Sequence, residues 1–264
     1  MADKERVMKR LEEHYKAVCD QGYEIVGVFL QGSQNYGLDY DGSDIDTKCI
    51  VLPRFEDYVL NKKPVSYTHI MENNEHVDIK DIRCMFECFR KQNSNFLEIM
   101  FTDYMIINTK YVWLVKELIC NSELIVRYDE RKFLNACVGM ALEKEKAMCH
   151  PYPATKDKID KYGYDGKQVS HILRMDDMLK KYCDNKSFME SLKPIRKKRI
   201  LEYKFNEIPL AEAQVEVAET IERMKKMRDE YIEMYNPVQN NEVDNVLKSL
   251  LFKVLKQWFK EELT

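Results

Sequence analysis

Leu30-Gln31-Gly32-Ser33-Gln34-Asn35-Tyr36-Gly37-Leu38-Asp39-Tyr40-Asp41-Gly42-Ser43-Asp44-Ile45-Asp46 is the stretch on which the fold turns. Just upstream, Glu24-Ile25-Val26-Gly27-Val28-Phe29-Leu30 is a short apolar run rich in β-branched residues, which predicts a buried strand stopped at Gly32-Ser33. Ten residues then intervene before Asp44-Ile45-Asp46 opens a second predicted strand, which runs to Leu52 and closes at Pro53. Residues two apart on a strand share a face, so Asp44 and Asp46 are expected to stand side by side. Two unpaired carboxylates that close repel each other, and a divalent cation removes that cost. Hard oxygen donors select magnesium or manganese, and magnesium is typically held by a few carboxylates together with substrate phosphates. Gly32 and Ser33 supply the complementary part: glycine lets backbone N–H groups approach phosphate oxygens, and the hydroxyl adds a donor.

A two-metal site needs a third carboxylate, and Asp78 is the candidate. Residues 65–72 and 75–80 read as two strands joined by Asn73-Asn74, a turn-forming pair. In His76-Val77-Asp78-Ile79-Lys80 the apolar Val77 and Ile79 share one face, which leaves Asp78 on the other. Before these strands, Val7, Leu11, His14, Tyr15 and Val18 have helical spacing over residues 3–20. After them, Asp81 is a predicted N-cap for a helix carrying Ile82, Met85, Phe86 and Phe89. Asn93-Ser94-Asn95 breaks that helix ahead of an apolar run from Phe96 to Tyr104. From about residue 110 the period is helical, with helices expected near 110–120, 130–149, 166–183, 187–203, 210–235 and 241–262. The fold class is therefore α+β: a small mixed-sheet domain over 1–108, followed by a helical region over 109–264.

Composition agrees with this outline. The chain has 264 residues, with 42 Lys plus Arg against 45 Asp plus Glu, a near balance that excludes a histone-like binder. Eight glycines and seven prolines are too few for an all-β chain full of tight turns. No run approaches the roughly 20 apolar residues of a membrane span. The start, Met1-Ala2-Asp3-Lys4-Glu5-Arg6, lacks an apolar signal region. A cytoplasmic location and reduced thiols at all eight cysteines are expected. Cys84 and Cys88 lie one helical turn apart, but no second pair at zinc-ligand spacing accompanies them.

Taken together, the Gly-Ser pair, the ten-residue gap, the Asp-x-Asp and the later strand Asp resemble the DNA polymerase β superfamily of nucleotidyltransferases. More narrowly, Gly32-Ser33-Gln34-Asn35-Tyr36-Gly37 followed by Ser43-Asp44-Ile45-Asp46 resembles its RlaP/YcgL-type branch, which is linked to RNA repair. Asn93-Ser94-Asn95-Phe96-Leu97-Glu98 is similar to that branch's Asn-rich segment. Tyr162-Gly163-Tyr164-Asp165-Gly166-Lys167, with His171-Ile172-Leu173-Arg174, is similar to its helical signature. The branch often has Arg directly after Gly-Ser, where this chain has Gln34. The resemblance implies a polymerase β-like domain that moves a nucleoside monophosphate from an NTP such as ATP to a hydroxyl, foremost an RNA end, and releases pyrophosphate. It implies two Mg2+ or Mn2+ ions, with Asp44 and Asp46 holding the nucleotide-bound ion and Asp78 sharing the second and helping to deprotonate the acceptor. Transfer of AMP to a protein hydroxyl, or a sensor or antitoxin-like module that binds nucleotide without turnover, are the rival functions.

Three further features bear on substrate. Lys167, His171 and Arg174 fall within about 60° of one another on a helix of 100° per residue, a narrow face suited to a triphosphate. Residues 180–204 hold nine Lys or Arg against Asp184, Glu190 and Glu202, with Tyr182, Phe188 and Tyr203 interleaved. A basic run with aromatic residues is expected to track and stack on RNA. Tyr36, in the loop after Gly-Ser, is a candidate to stack on the nucleotide base or to touch the acceptor. The nucleotide's base and the oligomeric state have no signal in the sequence.

Overall fold

A computed structural model describes residues 4–40 and 42–264. Met1–Asp3 and Asp41, which enter the amino-terminal and loop readings above, lie outside the described residues. The first unit opens with α1 (Lys4–Cys19), then β1 (Glu24–Gln31), a single turn α2 (Ser33–Tyr36) and β2 (Asp46–Leu52). It continues through α3 (Phe55–Val59), β3 (Ser66–Ile70), β4 (His76–Asp81), α4 (Ile82–Arg90), α5 (Ser94–Leu97) and β5 (Met105–Ile107), and on to α6 (Val112–Cys120) and α7 (Ser122–Val126). Helices alone follow: α8 (Glu130–Met148), α9 (Lys156–Tyr162), α10 (Gly166–Cys183), α11 (Phe188–Leu192), α12 (Lys197–Lys204), α13 (Leu210–Tyr235) and α14 (Asn241–Glu262). The α+β architecture expected from the sequence is the one observed. Among the described residues no helix is long and apolar enough to cross a membrane.

The five strands lie in the order β3-β4-β2-β1-β5. β2 runs antiparallel to β1 and parallel to β4, while β3 and β5 are antiparallel edge strands. One face is dry: Val28 and Leu30 of β1, Cys49 and Val51 of β2, and Val77 and Ile79 of β4 pack with Val7, Leu11 and Val18 of α1. Because side chains alternate along each strand, this packing sends Asp46 and Lys48 of β2, and Asp78 and Lys80 of β4, to the opposite face. The hairpin β3–β4 turns at Asn74, which takes a positive φ of 65°.

The compact units are Met1–Asp129 with Gln239–Thr264, and Glu130–Val238. This division differs from the expected boundary at 108/109 in two places. Residues 109–129 belong with the sheet, where buried Tyr111 donates to Glu24 of β1 across 2.9 Å. The last helix returns to it as well: Arg90 of α4 donates to Asp244 of α14 at 2.8 Å, and the Trp258 indole N–H donates to the Pro53 carbonyl at 2.7 Å. The apolar stripe of 241–262 announced that this helix docks, but a stripe does not name its partner.

In the helical unit, α10 is the central rod, buried along most of its length. Its first residue, Gly166, lies against α12 so closely that an added Cβ would sit 1.8 Å from the Tyr203 carbonyl oxygen. The expected helix 187–203 is two helices, broken at Lys193-Pro194 between α11 and α12. Replacing Gly166 with Ala forces these backbones apart, and the expected cost is about 3 kcal/mol. Urea denaturation of the full chain measures this directly, and an unchanged midpoint contradicts the close approach.

Candidate active site

The polar face of the sheet is assembled by strand register. Lys48 pairs with Asp78 across the parallel β2–β4 ladder, and Gln31, the last residue of β1, pairs with Asp46. Asp46 and Asp78 therefore lie on adjacent strands and point to the same face, one pleat apart. Gly32 and Ser33 follow directly on the partner of Asp46. Gly32 has φ 92°, a left-handed value that favours glycine, and open space around its α-carbon. Ser33 begins the turn α2, and its hydroxyl is 3.4 Å from the Gln34 side-chain oxygen.

Asp44 stands apart from the other two carboxylates in its backbone. β2 begins at Asp46, so Asp44 is an exposed loop residue and not the strand residue expected from the Asp-x-Asp spacing. The alternation survives around it: Ile45 and Thr47 are buried toward α1, whereas Asp44 is exposed and Asp46 half-buried. Gln34 donates its amide to the Asp44 carbonyl at 2.7 Å. It ties the loop's two ends together. Among the described residues no three His, Cys, Asp or Glu side chains are gathered closely enough to hold a metal ion by themselves.

A buried network behind the site fixes the approach to β2. Glu75 accepts from Arg10 at 2.7 Å and from the Ile45 backbone N–H at 3.3 Å, the amide that lies between Asp44 and Asp46. His14, fully buried, donates Nε2–H to Glu75 at 3.1 Å, and its Nδ1 accepts from the Thr47 hydroxyl at 2.9 Å. Burial pulls the His14 pKa below the usual imidazole value against the upward pull of Glu75. Burial alone would push the Glu75 carboxyl up, yet hydrogen bonding with Asn73 and Arg10 leaves it below the usual carboxylate range. The next residue, His76, donates its backbone N–H to Asp46 Oδ1 at 2.9 Å. Glu75 was not among the sequence candidates; its only signal was a position beside the strand that carries Asp78.

Two lysines share the face with the carboxylates. Lys48 is 3% exposed, donates to the Gln31 side-chain oxygen, and lies 4.7 Å from the Phe96 ring centroid. Burial lowers its pKa to about 8, against the upward pull of Asp78 and Asp46. Lys80 Nζ is 3.4 Å from Asp78 Oδ1, donates to Ser66 Oγ at 2.9 Å, and lies 5.0 Å from the same ring centroid. The period-two pattern Asp46-x-Lys48 and Asp78-x-Lys80 carried this information in the sequence.

Several expected contacts take another form. Tyr36 is buried and its hydroxyl donates to Glu98, so its ring offers no free face for stacking on a base. Tyr182, Phe188 and Tyr203 are likewise core residues: Phe133 stacks on Tyr182 at 4.2 Å and meets Phe188 edge-on at 5.8 Å. Tyr203 donates to Glu216. Amphipathic helices turn aromatics inward, which overrides the base-stacking reading of residues 180–204. Of that segment's basic residues, Arg196 pairs with Asp177 at 2.8 Å and Arg199 with Glu216 at 2.7 Å. Lys180, Lys186, Lys193, Lys197 and Lys198 remain exposed.

On α10, Lys167 is exposed, His171 half-buried and Arg174 buried. Burial, reinforced by Arg174, Lys167, Lys144 and Lys204, drops the His171 pKa well below its usual value, so it is neutral at pH 7 and not the third cation expected.

The profile of the family described as RlaP, the RNA repair pathway DNA polymerase beta family, matches residues 4–175. The chain belongs to that family. Membership places it with polymerase β-type nucleotidyltransferases, and the match spans the Gly-Ser turn, all three aspartates and the first half of α10. Among solved structures, a nucleotidyltransferase-like protein from Exiguobacterium sibiricum 255-15 is similar over 96% of this chain and 80% of its own, at 10% identity and a TM-score of 0.29. No curated protein matches the chain.

His171 gives the RlaP-family chain a pH signature. A group whose folded pKa lies below its unfolded value near 6.5 contributes stability that is present above about pH 6.5 and is lost as the pH falls toward the folded pKa. Urea midpoints should therefore drop between pH 7.5 and 5.5, with a slope of at most about 1.4 kcal/mol per pH unit from this residue. His171→Gln should flatten that dependence; an identical slope in the variant contradicts the assignment.

Proposed function

We propose that this chain transfers a nucleoside monophosphate from an NTP to a hydroxyl acceptor, an RNA end, with release of pyrophosphate. The observation that carries the reading is the pair Asp46 and Asp78 on one face of adjacent parallel strands, with Gly32-Ser33 following the strand partner of Asp46. The donor set fits a hard divalent cation: three carboxylates, no thiolate, and room for phosphate oxygens beside Gly32. Asp44, Asp46 and Asp78 are the residues that would hold Mg2+ or Mn2+. When bound, two such ions supply charge neutralisation at the attacking and leaving oxygens of an in-line displacement.

The chain's own groups do the rest. The Gly32-Ser33 turn offers backbone N–H groups and a hydroxyl to the phosphates. Asp78, kept beside the Lys80 ammonium, accepts the proton of the acceptor hydroxyl. The acceptor oxygen then bonds to the α-phosphorus as the bond to the β-phosphate's bridging oxygen breaks, and pyrophosphate leaves with that electron pair. The exposed lysines of 180–204 suit an electrostatic contact with an RNA backbone, one that weakens as salt rises.

The test is incubation of the full chain with α-labelled NTPs, magnesium and RNAs of defined ends. Label should enter RNA with stoichiometric pyrophosphate, and the variant carrying both Asp44→Ala and Asp46→Ala should reduce it to background while keeping its thermal midpoint. Equal activity in that double variant overturns the site. Label appearing on a protein hydroxyl instead, located by mass spectrometry, replaces the RNA acceptor.

A further inference from the structure

Asp46 and Asp78 face two fixed ammoniums before any substrate arrives. Lys48 is buried, and its Cα is the register partner of Asp78 while its side chain shares the face of Asp46 two residues before it. Its reach is set by Gln31 on one strand and by the Phe96 ring above. Lys80 is pinned in a similar way, by Asp78, by Ser66 and by that same ring. Phe96 sits on α5, whose amino-terminal turn is capped by the Asn93 side chain. One aromatic ring thus lies within 5.0 Å of both ammoniums, on the sheet face that carries the two carboxylates. A buried lysine is costly to desolvate and is tolerated only where partners compensate it. An apolar residue would fill the position at lower cost, so the retained charge has consequences for whatever binds there.

We infer that Lys48 and Lys80 are built-in counter-ions of the Asp46–Asp78 pair, positioning residues that keep the bare face a weak site for a divalent cation. The two ammoniums offset two of the three carboxylates, so a lone cation gains little net attraction and meets like charges beside its ligands. A triphosphate reverses this balance, because its own negative charge is attracted to the lysines while its oxygens complete the cation's ligand set. Cation and nucleotide therefore bind with positive coupling, and the coupling resides in these two side chains. This inference rests on the nucleotidyltransferase reading of the site.

Mn2+ titration of the full-length chain, followed by the electron paramagnetic resonance of free Mn2+, tests it with and without a non-hydrolysable α,β-methylene NTP mixture, each corrected for a protein-free blank. The wild-type chain should bind Mn2+ at least about tenfold more tightly with the analogue present. Lys48→Met and Lys80→Met should each tighten Mn2+ binding without nucleotide by about tenfold and shrink the coupling. Lys80 lies at the margin of the face, so Lys80→Met decides the question if Lys48→Met fails to fold. Equal Mn2+ affinity with and without analogue, or no gain in a folded variant, overturns the counter-ion role while leaving the nucleotidyltransferase reading intact. Failure of the wild-type chain to bind Mn2+ and analogue in any combination overturns that reading itself.

Discussion

The parallel pairing of β2 with β4 is the constraint from which the site follows. Cys49, Val51, Val77 and Ile79 all face α1 and leave water, and the observed register lets them do so together. A slip of either strand by one residue would turn its apolar pair away from α1 and direct its aspartate and lysine toward the apolar core instead. The hydrophobic effect acting on one face of the sheet thereby positions Asp46 and Asp78 on the other, without any attraction between them. Two like charges are brought together by a force that does not act on charge, and the compensation by Lys48 and Lys80 is the local response.

Precision at the loop comes from a different source. Apolar packing sets which face a residue takes, but it does not fix a carboxylate to a fraction of an ångström. Here the buried Glu75 does that work, accepting from Arg10, His14 and the Ile45 amide while the adjacent His76 amide holds Asp46. Such a network stabilises only when all its members are satisfied, and in this one each has a partner. The same logic governs Gln34, whose amide fixes the Asp44 carbonyl.

The strands, and which face Asp78 takes, were legible because β-branched runs and period-two alternation are local signals. So was the family, through a Gly-Ser turn and an Asp-x-Asp at fixed separation. Tertiary choices were not legible. The three-residue strand β5 was hidden within the end of an apolar segment, because edge pairing with β1, not composition, makes Met105–Ile107 a strand. Asp44 fell outside β2 because pairing with β1 ends at Gln31 opposite Asp46. Tyr36, Tyr182, Phe188 and Tyr203 read as exposed recognition groups because polar or basic neighbours surround them in sequence; helical rotation turned them into the core. Lys48 went unremarked, although its two-residue offset from Asp46 required it to share that face.

The central claim is that Asp46 and Asp78 act on one and the same cation-bound triphosphate. A crystal of the full chain grown with Mn2+ and a non-hydrolysable NTP, measured for anomalous scattering at the manganese edge, tests this most directly. The expected result is a manganese peak with carboxylate oxygens of both Asp46 and Asp78 among its neighbours and phosphate oxygens completing the shell. A nucleotide and manganese bound elsewhere on the chain, with Asp78 still paired to Lys80, would contradict it.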